Sequence, residues 1–353
     1  MIRIAVPASR SYEVLIAPGL LARLGALCRE VCPSQRAMLV TDSRVAPLYL
    51  QKAASSLASA GFCVSTFVFP VGEKNKNGAT YLRLLNALAR CGLTRSDLLL
   101  ALGGGVTGDL CGFAAATYMR GIPLVQLPTT LLACVDASVG GKTAIDLAAG
   151  KNLAGAFYQP RLVLCDTSLL ATLPAGVFAC GCAEMIKCAM LGGPALLEAM
   201  QAAPIRNRPP EELISACVAL KRDLVVQDEF DTGVRRLLNL GHTFGHALER
   251  LSGYRMPHGQ AVAAGMAIIT RAAVRKGICP QECMDALGTL LAQNGLQARA
   301  GFRAQALFEA ALLDKKRAGD TITLVVPTGI GRCELLEQPV QALCAWAHAG
   351  LDA

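Results

Sequence analysis

The sequence contains few aromatic and few charged residues. Phe, Trp and Tyr together make up 5% of the 353 residues, and Trp occurs once. Charged residues make up 17%, whereas hydrophobic residues make up 53%. A chain this apolar has enough non-polar surface to form packed cores, which excludes a wholly disordered protein. At about 150 residues per domain, the length predicts about two domains.

Signals for export, membrane insertion and nucleic-acid binding are missing as well. No uninterrupted apolar stretch reaches the roughly 18 residues of a membrane span, and Arg10 and Glu13 interrupt any apolar signal segment near the start. The net charge is +8, but the basic residues are scattered along the chain. We therefore expect a cytoplasmic protein that binds neither membranes nor nucleic acid, and a small anionic substrate would suit its charge.

The 15 cysteines are an odd number and include no Cys-x-x-Cys pair. Many of them, such as Cys134, Cys165 and Cys217, sit within apolar segments. Free, buried thiols in a reducing compartment are the favoured interpretation. A disulfide framework or a cysteine-based zinc site is the alternative.

Strand-like and helical segments alternate in the first half of the chain. Short β-rich or apolar runs predict strands at 36–41, 62–67, 98–102, 124–127 and 162–165, and 45–60 reads as a helix. Beyond residue 170, helical periodicity dominates at 176–192, 211–228, 234–252, 258–276 and 280–294, with a β-like run at 321–326. These patterns predict an α/β domain with a parallel sheet over 1–172, followed by a mainly α-helical domain over 173–353.

A glycine-rich segment, 103–109, directly follows the apolar run 98–102 and matches G-x-G-x-x-G. Glycines at such a turn let backbone N–H groups approach a pyrophosphate at a helix N-terminus. No acidic residue lies about 20 positions further on, so a plain strand-to-helix turn is the alternative. Further glycines, hydroxyls and lysines at 128–130, 136–143 and 150–152 also suit phosphoryl oxygens, although a polar surface loop would have the same composition.

Three of the four histidines, His242, His246 and His258, fall within 17 residues. Laid on one helix over 231–249, a polar face holds Asp231, Arg235, Asn239, His242, His246 and Glu249. Gly241 and Gly245 are costly inside a helix and indicate close approach of a ligand or another helix. Glu184, an isolated acid one turn before Lys187, is a candidate oxygen ligand, or else half of a surface ion pair. Spacing does not decide which two histidines would join it at a catalytic zinc.

Seven motifs together resemble the 3-dehydroquinate synthase family of the sugar-phosphate cyclases. They are Gly-Gly-Gly-Val-Thr-Gly-Asp (103–109), Tyr-Met-Arg-Gly (118–121), Leu-Pro-Thr-Thr (127–130), Ser-Val-Gly-Gly-Lys-Thr (138–143), Gly-Lys-Asn (150–152), Ala-Glu-Met-Ile-Lys (183–187) and Leu-Asn-Leu-Gly-His-Thr-Phe-Gly-His-Ala (238–247). The match extends from about residue 36 to residue 330 and is most specific for the superfamily as a whole.

The resemblance implies a lyase of the shikimate pathway that uses NAD and a divalent metal, zinc or cobalt. Such an enzyme converts 3-deoxy-D-arabino-heptulosonate 7-phosphate to 3-dehydroquinate and phosphate. Transient oxidation at C5 acidifies the proton at C6, and NAD is regenerated in each turnover. The resemblance also implies a homodimer.

The resemblance further implies a role for each matching residue. The metal ligands would be Glu184, His242 and His258, and the catalytic residues would be Lys142, His246 and Asp231. Substrate contacts would come from Arg120, Asp136, Lys142, Asn152, Lys187, Lys221, Arg235, Asn239, His246 and Lys316. NAD contacts would come from Val71, Gly72, Glu73, Lys74, Asn75, Lys76, Gly105, Val106, Thr107, Gly108, Asp109, Thr129, Thr130, Lys142, Lys151, Leu169, Leu170, Ala171 and Thr172.

Two positions depart from the family pattern. The family has Glu at each of them, whereas this chain has Asp231 at the first and Gln260 at the second. The first change shortens a candidate proton acceptor, and the second removes a charge near a metal ligand. Three alternatives remain open: a cyclase acting on another sugar phosphate, a metal- and NAD-dependent polyol dehydrogenase, and a non-catalytic relative.

Overall fold

A computed structural model of the protein describes residues 1–208, 210–312, 317–318 and 320–351. The chain packs into two compact units. The first unit comprises Met1–Leu173 and Lys221–Phe230, and the second comprises Pro174–Leu220 and Asp231–Ala353. The segment 221–230 therefore belongs to the first unit although it follows part of the second along the chain.

The first unit is built on a seven-stranded sheet. Its strands are β1 (Ile2–Val6), β2 (Tyr12–Ala17), β3 (Arg36–Asp42), β4 (Cys63–Phe69), β5 (Leu98–Gly103), β6 (Leu124–Pro128) and β9 (Leu162–Asp166), and the helices are α1 (Leu24–Val31), α2 (Gln51–Ser59), α3 (Gly78–Arg90) and α4 (Gly105–Thr117). The strand order is β1-β2-β9-β6-β5-β3-β4. All neighbouring strands are parallel except β1 and β2. Strands β7 (Lys142–Leu147) and β8 (Gly150–Phe157) form a separate antiparallel hairpin.

Two hydrophobic cores cover the two faces of this sheet. Every residue of β5 is buried, and alternate residues face opposite cores: Leu100 packs with α1 and α2, whereas Leu99 packs with α3 and α4. Continuous burial on both faces explains why the strand sequence is uniformly apolar rather than alternating. The predicted α/β domain with a parallel sheet is confirmed.

The second unit is mainly helical, as predicted. Its helices are α5 (Ala175–Gly192), α6 (Pro194–Gln201), α7 (Pro210–Gln227, whose residues from 221 onwards belong to the first unit), α8 (His242–Leu251), α9 (His258–Arg275), α10 (Gln281–Gln293), α11 (Ala304–Leu312) and α12 (Ala342–Gly350). A three-stranded antiparallel sheet consists of β10 (Arg317–Ala318), β11 (Thr321–Gly329) and β12 (Arg332–Pro339).

Among the helices of the described residues, one, α5, is long and apolar enough to cross a membrane by length and composition. Of this helix, 61% is buried within the structure, and Glu184 and Lys187 lie among its buried residues. Burial of this kind is typical of a core helix.

The continuous helix predicted over 231–249 is wrong. A short 3₁₀ helix covers Val234–Asn239, and α8 begins only at His242. The break occurs because Leu240 is extended, with ψ 123°, and Gly241 has φ +81°, a left-handed conformation that favours glycine. Asp231, with φ +59°, lies before the 3₁₀ helix rather than on the polar face of one long helix.

Glycines let α8 pack closely against α9. A Cβ atom on Gly241 would lie 2.7 Å from the backbone nitrogen of Met266, and one on Gly245 would lie 3.1 Å from the oxygen of Ala261. On the facing helix, a Cβ on Gly265 would overlap the backbone oxygen of Gly241. The approach of α9 therefore explains Gly245, which is costly inside a helix, while Gly241 meets both that approach and the left-handed conformation before α8.

We expect Gly265→Ala to destabilise the protein. The added methyl would collide with backbone atoms that cannot rotate away, and such overpacking costs about 1–3 kcal/mol. Gly288→Ala is the matched control, since this residue of α10 has open space at the Cβ position, and Ala is a better helix former by roughly 1 kcal/mol. Urea unfolding should give opposite signs for the two variants, and equal effects would contradict the packing argument.

Candidate functional sites

Three helices of the second unit bring a carboxylate and three imidazoles together. Glu184 lies on α5, His242 is the first residue of α8, and His258 is the first residue of α9. One ligand-capable atom from each lies within 4.8 Å of the others. The ring of His246, one turn along α8, lies 5.4 Å from that of His242 and 6.2 Å from that of His258 between centroids.

The imidazole nitrogens face a single carboxylate oxygen. Nε2 of His258 lies 3.6 Å from Oε1 of Glu184, and Nε2 of His242 lies 3.8 Å from the same atom. Both distances exceed a hydrogen bond. They are only a little longer than the roughly 3.3 Å between ligands around a tetrahedral zinc with bonds of about 2.0 Å. The arrangement therefore fits a small divalent cation.

The opposite side of His258 faces another carboxylate. Its Nδ1 atom lies 3.5 Å from Oε2 of Glu249, which belongs to α8 and is 4% exposed. His246, Glu249 and His258 form a second possible ligand group that shares His258 with the first. Sequence reasoning placed Glu249 on the polar face but gave it no role, because its position relative to α9 is decided by packing.

Neighbouring buried charges shift the pKa values of Glu184 and His258 in this cluster. Burial by itself would raise the pKa of Glu184, but the ammonium of Lys187 and the ring of His258 outweigh it and lower that pKa to about 2. Burial would likewise lower the pKa of His258, and the carboxylates of Glu184 and Glu249 raise it to about 9. Lys187 forms its ion pair with Glu184 inside the unit, with 2% of its side chain exposed. The pair is therefore not the surface contact that was the alternative interpretation.

Two other predicted residues of the second unit, Arg235 and Asn239, lie on the 3₁₀ helix that precedes α8. Arg235 is 1% exposed and is among the largest fully buried side chains. Asn239 donates from its amide nitrogen to the carbonyl of Arg236, at 3.0 Å. Gln260, one of the two departures from the family pattern, exchanges two hydrogen bonds with the backbone of Gln297. Lys316 lies outside the described residues.

In the first unit, the glycine-rich turn lies at the carboxyl edge of the sheet. Strands β5 and β6 end side by side at Gly103 and Pro128, and the N–H of Thr129 donates to the carbonyl of Gly103. Helix α4 begins at Gly105, and a Cβ on Gly104 would lie 3.1 Å from the side chain of Thr130. The backbone N–H groups of a helix N-terminus and the side chain of Thr130 therefore meet at this edge, which suits a phosphate-bearing ligand.

The ammonium group of Lys76, a buried residue, contacts side chains from several segments of the first unit. Nζ of Lys76 donates to Oδ1 of Asn152 at 2.7 Å, and lies 3.0 Å from Glu73, 3.1 Å from Asp109 and 3.7 Å from Asp146. Burial alone would lower the pKa of Lys76, but the three carboxylates outweigh it and raise that pKa. Burial raises the pKa of Asp109 to about 6 despite the lysine. Sequence reasoning missed Asp146, which no motif singles out.

The remaining predicted residues of the first unit are spread over several segments. Lys221 donates to both the backbone and the side-chain oxygen of Asp136, at 2.5 Å. Lys142 begins β7 and is exposed, while Lys151 and Asn152 lie on β8. Arg120 ends a 3₁₀ turn with φ +65°. Residues 169–172 belong to a 3₁₀ helix that is capped by the side chain of Asp166.

Known proteins resemble the chain over most of its length. The family model for the 3-dehydroquinate synthase N-terminal domain matches residues 66–180, and that for the C-terminal domain matches residues 181–317. A 3-dehydroquinate synthase from Pelobacter propionicus is 43% identical, covering 94% of this chain and 95% of the relative. One from Geobacter metallireducens is 44% identical and covers 91% of each.

Solved structures share the fold. A 2-deoxy-scyllo-inosose synthase complexed with carbaglucose-6-phosphate, NAD⁺ and Co²⁺ superposes with a TM-score of 0.90 at 25% identity, covering 99% of this chain and 100% of the other. The 2-epi-5-epi-valiolone synthase from Streptomyces hygroscopicus subsp. jinggangensis, with NAD⁺ and Zn²⁺ bound, gives 0.87 at 27% identity and covers 98% of each chain. By its two family models and its relatives, the chain belongs to the 3-dehydroquinate synthase family.

Proposed function

We propose that this protein is a 3-dehydroquinate synthase, a phosphorus–oxygen lyase that converts 3-deoxy-D-arabino-heptulosonate 7-phosphate to 3-dehydroquinate and phosphate. The main support is that Glu184, His242 and His258 lie close enough together to hold one metal ion, in a chain that belongs to this family. Relatives named as this enzyme cover more than nine tenths of the chain. The reaction belongs to the shikimate pathway, and we propose a cytoplasmic homodimer as the working form.

Glu184, His242 and His258 would hold the divalent metal, zinc or cobalt. Carboxylate and imidazole ligands with an open position are the donor set of a catalytic zinc. Glu249, on the far side of the His258 ring, would orient that ring through Nδ1, as carboxylates do behind many metal-bound histidines. His246, which is not one of these three ligands, would transfer protons beside the metal.

The first unit would bind NAD along the carboxyl edge of its sheet. The proposed contacts are the turn before α4, including Gly105 and Asp109, together with Thr129 and Thr130. The loop 71–76 is anchored by Lys76, while Lys142, Lys151 and the segment 169–172 complete the set. Bound NAD would supply a reversible hydride acceptor and the bound metal a Lewis acid.

The residues of this chain would bind and protonate the substrate. In the first unit, Lys142, Asn152, Arg120, Asp136 and Lys221 supply cations and hydrogen-bonding groups. In the second unit, Lys187, Arg235 and Asn239 do so. A substrate with both a carboxylate and a phosphate suits this excess of cations. His246 and Asp231 would move protons, and the shorter Asp231 reaches one methylene less far than Glu.

Other reactions of the same fold predict different products. A polyol dehydrogenase would accumulate NADH during turnover, whereas the proposed cycle returns the hydride and leaves NAD unchanged. A cyclase for another sugar phosphate is the second candidate, because the two neighbours described above act as such synthases. Their identity is 25–27%, against 43–44% for the 3-dehydroquinate synthases from Pelobacter and Geobacter.

Chelation should abolish phosphate release from the heptulosonate phosphate, and zinc or cobalt should restore it. His258→Ala should lose bound zinc because it removes a ligand. His246→Ala should keep zinc but lose turnover. Metal analysis of each purified variant and a phosphate-release assay check both statements. Full activity after exhaustive chelation would overturn the metal role, and reversed behaviour of the two variants would overturn the ligand assignment.

Lys142→Ala should lower kcat/KM for the heptulosonate phosphate at least about tenfold. Lys142 is exposed in the structure, but a substrate bound against it would exclude water from its ammonium, and loss of such a charge-assisted contact costs roughly 1.5–3 kcal/mol. Lys52→Ala is the control, since Lys52 is an exposed lysine of α2 outside the proposed sites, and an exposed charge that binds no ligand contributes at most about 1 kcal/mol. Equal small effects in the phosphate-release assay would mean that Lys142 does not contact the substrate.

Lys76→Met should both destabilise the protein and weaken NAD binding. The substitution keeps the length of the side chain but leaves Glu73, Asp109 and Asp146 without their shared cation. Unpaired, partly buried carboxylates cost about 1–3 kcal/mol. Urea unfolding and fluorescence titration with NAD measure the two effects. A change no larger than that of Lys52→Met would show that the lysine does not organise the loop.

A further inference from the structure

The ring of His258 faces a different carboxylate with each of its two nitrogens. Its Nε2 atom lies 3.6 Å from Oε1 of Glu184, and its Nδ1 atom lies 3.5 Å from Oε2 of Glu249. The metal centre of the proposed function uses the first of these sides. On the second side, the proposed function gives Glu249 a positioning role only.

His246, Glu249 and His258 form a three-residue ligand group of their own. In this group, as in that of Glu184, His242 and His258, one ligand-capable atom of each residue lies within 4.8 Å of the others. His246 and Glu249 are three residues apart on α8, which places their side chains next to each other on one face of that helix. Two imidazoles with one glutamate carboxylate are also the protein ligands of several catalytic zinc sites.

The distances on the Nδ1 side fit a shared cation. The 3.5 Å between Nδ1 of His258 and Oε2 of Glu249 exceeds the roughly 2.7–3.2 Å of an N–H···O hydrogen bond. It is close to the roughly 3.3 Å between neighbouring ligands around a tetrahedral zinc with bonds of about 2.0 Å. The side chain of His258 is 37% exposed and His246 is half-buried, so an ion can reach this group from solvent.

We propose that His258 bridges two divalent cations, and that the second ion, zinc or cobalt, is held by Nδ1 of His258 together with His246 and Glu249. Binding of the second ion releases the Nδ1 proton to solvent, which leaves an imidazolate between the two cations. The negative charge of that ring and one carboxylate on each side offset the repulsion between the ions. Because His246 then cannot transfer a proton, the second ion inhibits turnover, a consequence that rests on the proposed function.

Zinc analysis after equilibrium dialysis of the full-length protein against excess zinc tests the second site. We expect His246→Ala and Glu249→Gln each to bind one zinc ion fewer per chain than the native protein. His348→Ala and Glu198→Gln are the matched controls, since both residues are exposed and belong to neither ligand group, and they should bind as much zinc as the native protein. Zinc on exposed cysteines is common to all these proteins and cancels in the comparison.

Cobalt reports whether one ring bridges the two ions. The spins of two Co²⁺ ions that share an imidazolate are coupled. The electron paramagnetic resonance signal per bound cobalt should therefore fall as the second ion binds to the native protein. In His246→Ala, which lacks a ligand of the second ion, the signal per bound cobalt should stay constant.

The outcomes separate this proposal from the proposed function. Equal zinc contents of the native protein and His246→Ala, both with native melting curves, would overturn the second site. A constant signal per cobalt in the native protein would overturn the bridge, and phosphate release that stays level as the second ion binds would overturn the inhibition. If His242→Ala binds as much zinc as the native protein while His246→Ala binds one ion fewer, the second site stands and the ligand set of the proposed function fails.

Discussion

Close packing of glycine-bearing helices is the constraint on which the candidate metal centre depends. Gly241 and Gly265 let α8 and α9 approach until backbone touches backbone. On α9, Gly259 does the same against Cys180 of α5. His242 and His258 are the first residues of α8 and α9. The contact distances between helices therefore set the distance from each imidazole to Glu184, and a single methyl group at these glycines would separate the donors.

Buried charge is the second organising feature, and it occurs in both units. Glu184 and Lys187 form an ion pair inside the second unit, and Lys76 is surrounded by carboxylates in the first. Such pairs seldom add stability over apolar residues of the same size, because desolvating the charges costs about as much as their attraction returns. Their presence supports the metal and NAD sites that we propose.

The single helix predicted over 231–249 is wrong, yet it correctly placed His242 and His246 on one helical face. Residues spaced by three or four suggested one helical face, but Gly241 adopts a left-handed conformation and divides the segment. His242 and His246 still share a face because both follow the break. Asp231 and Arg235 reach their positions through a bend and a 3₁₀ turn, which periodicity does not encode.

The sequence by itself determined the buried parallel strands, the glycine turn before α4 and the types of residue at the candidate metal centre. These follow from local rules: continuous apolar runs, glycine conformational freedom and the donor chemistry of carboxylate and imidazole. Only the tertiary structure decided that Glu249 faces Nδ1 of His258, that Asp146 lies near the ammonium of Lys76, and that 221–230 belongs to the first unit. Each of these depends on contacts between different segments of the chain, and such contacts produce no periodic pattern in the sequence.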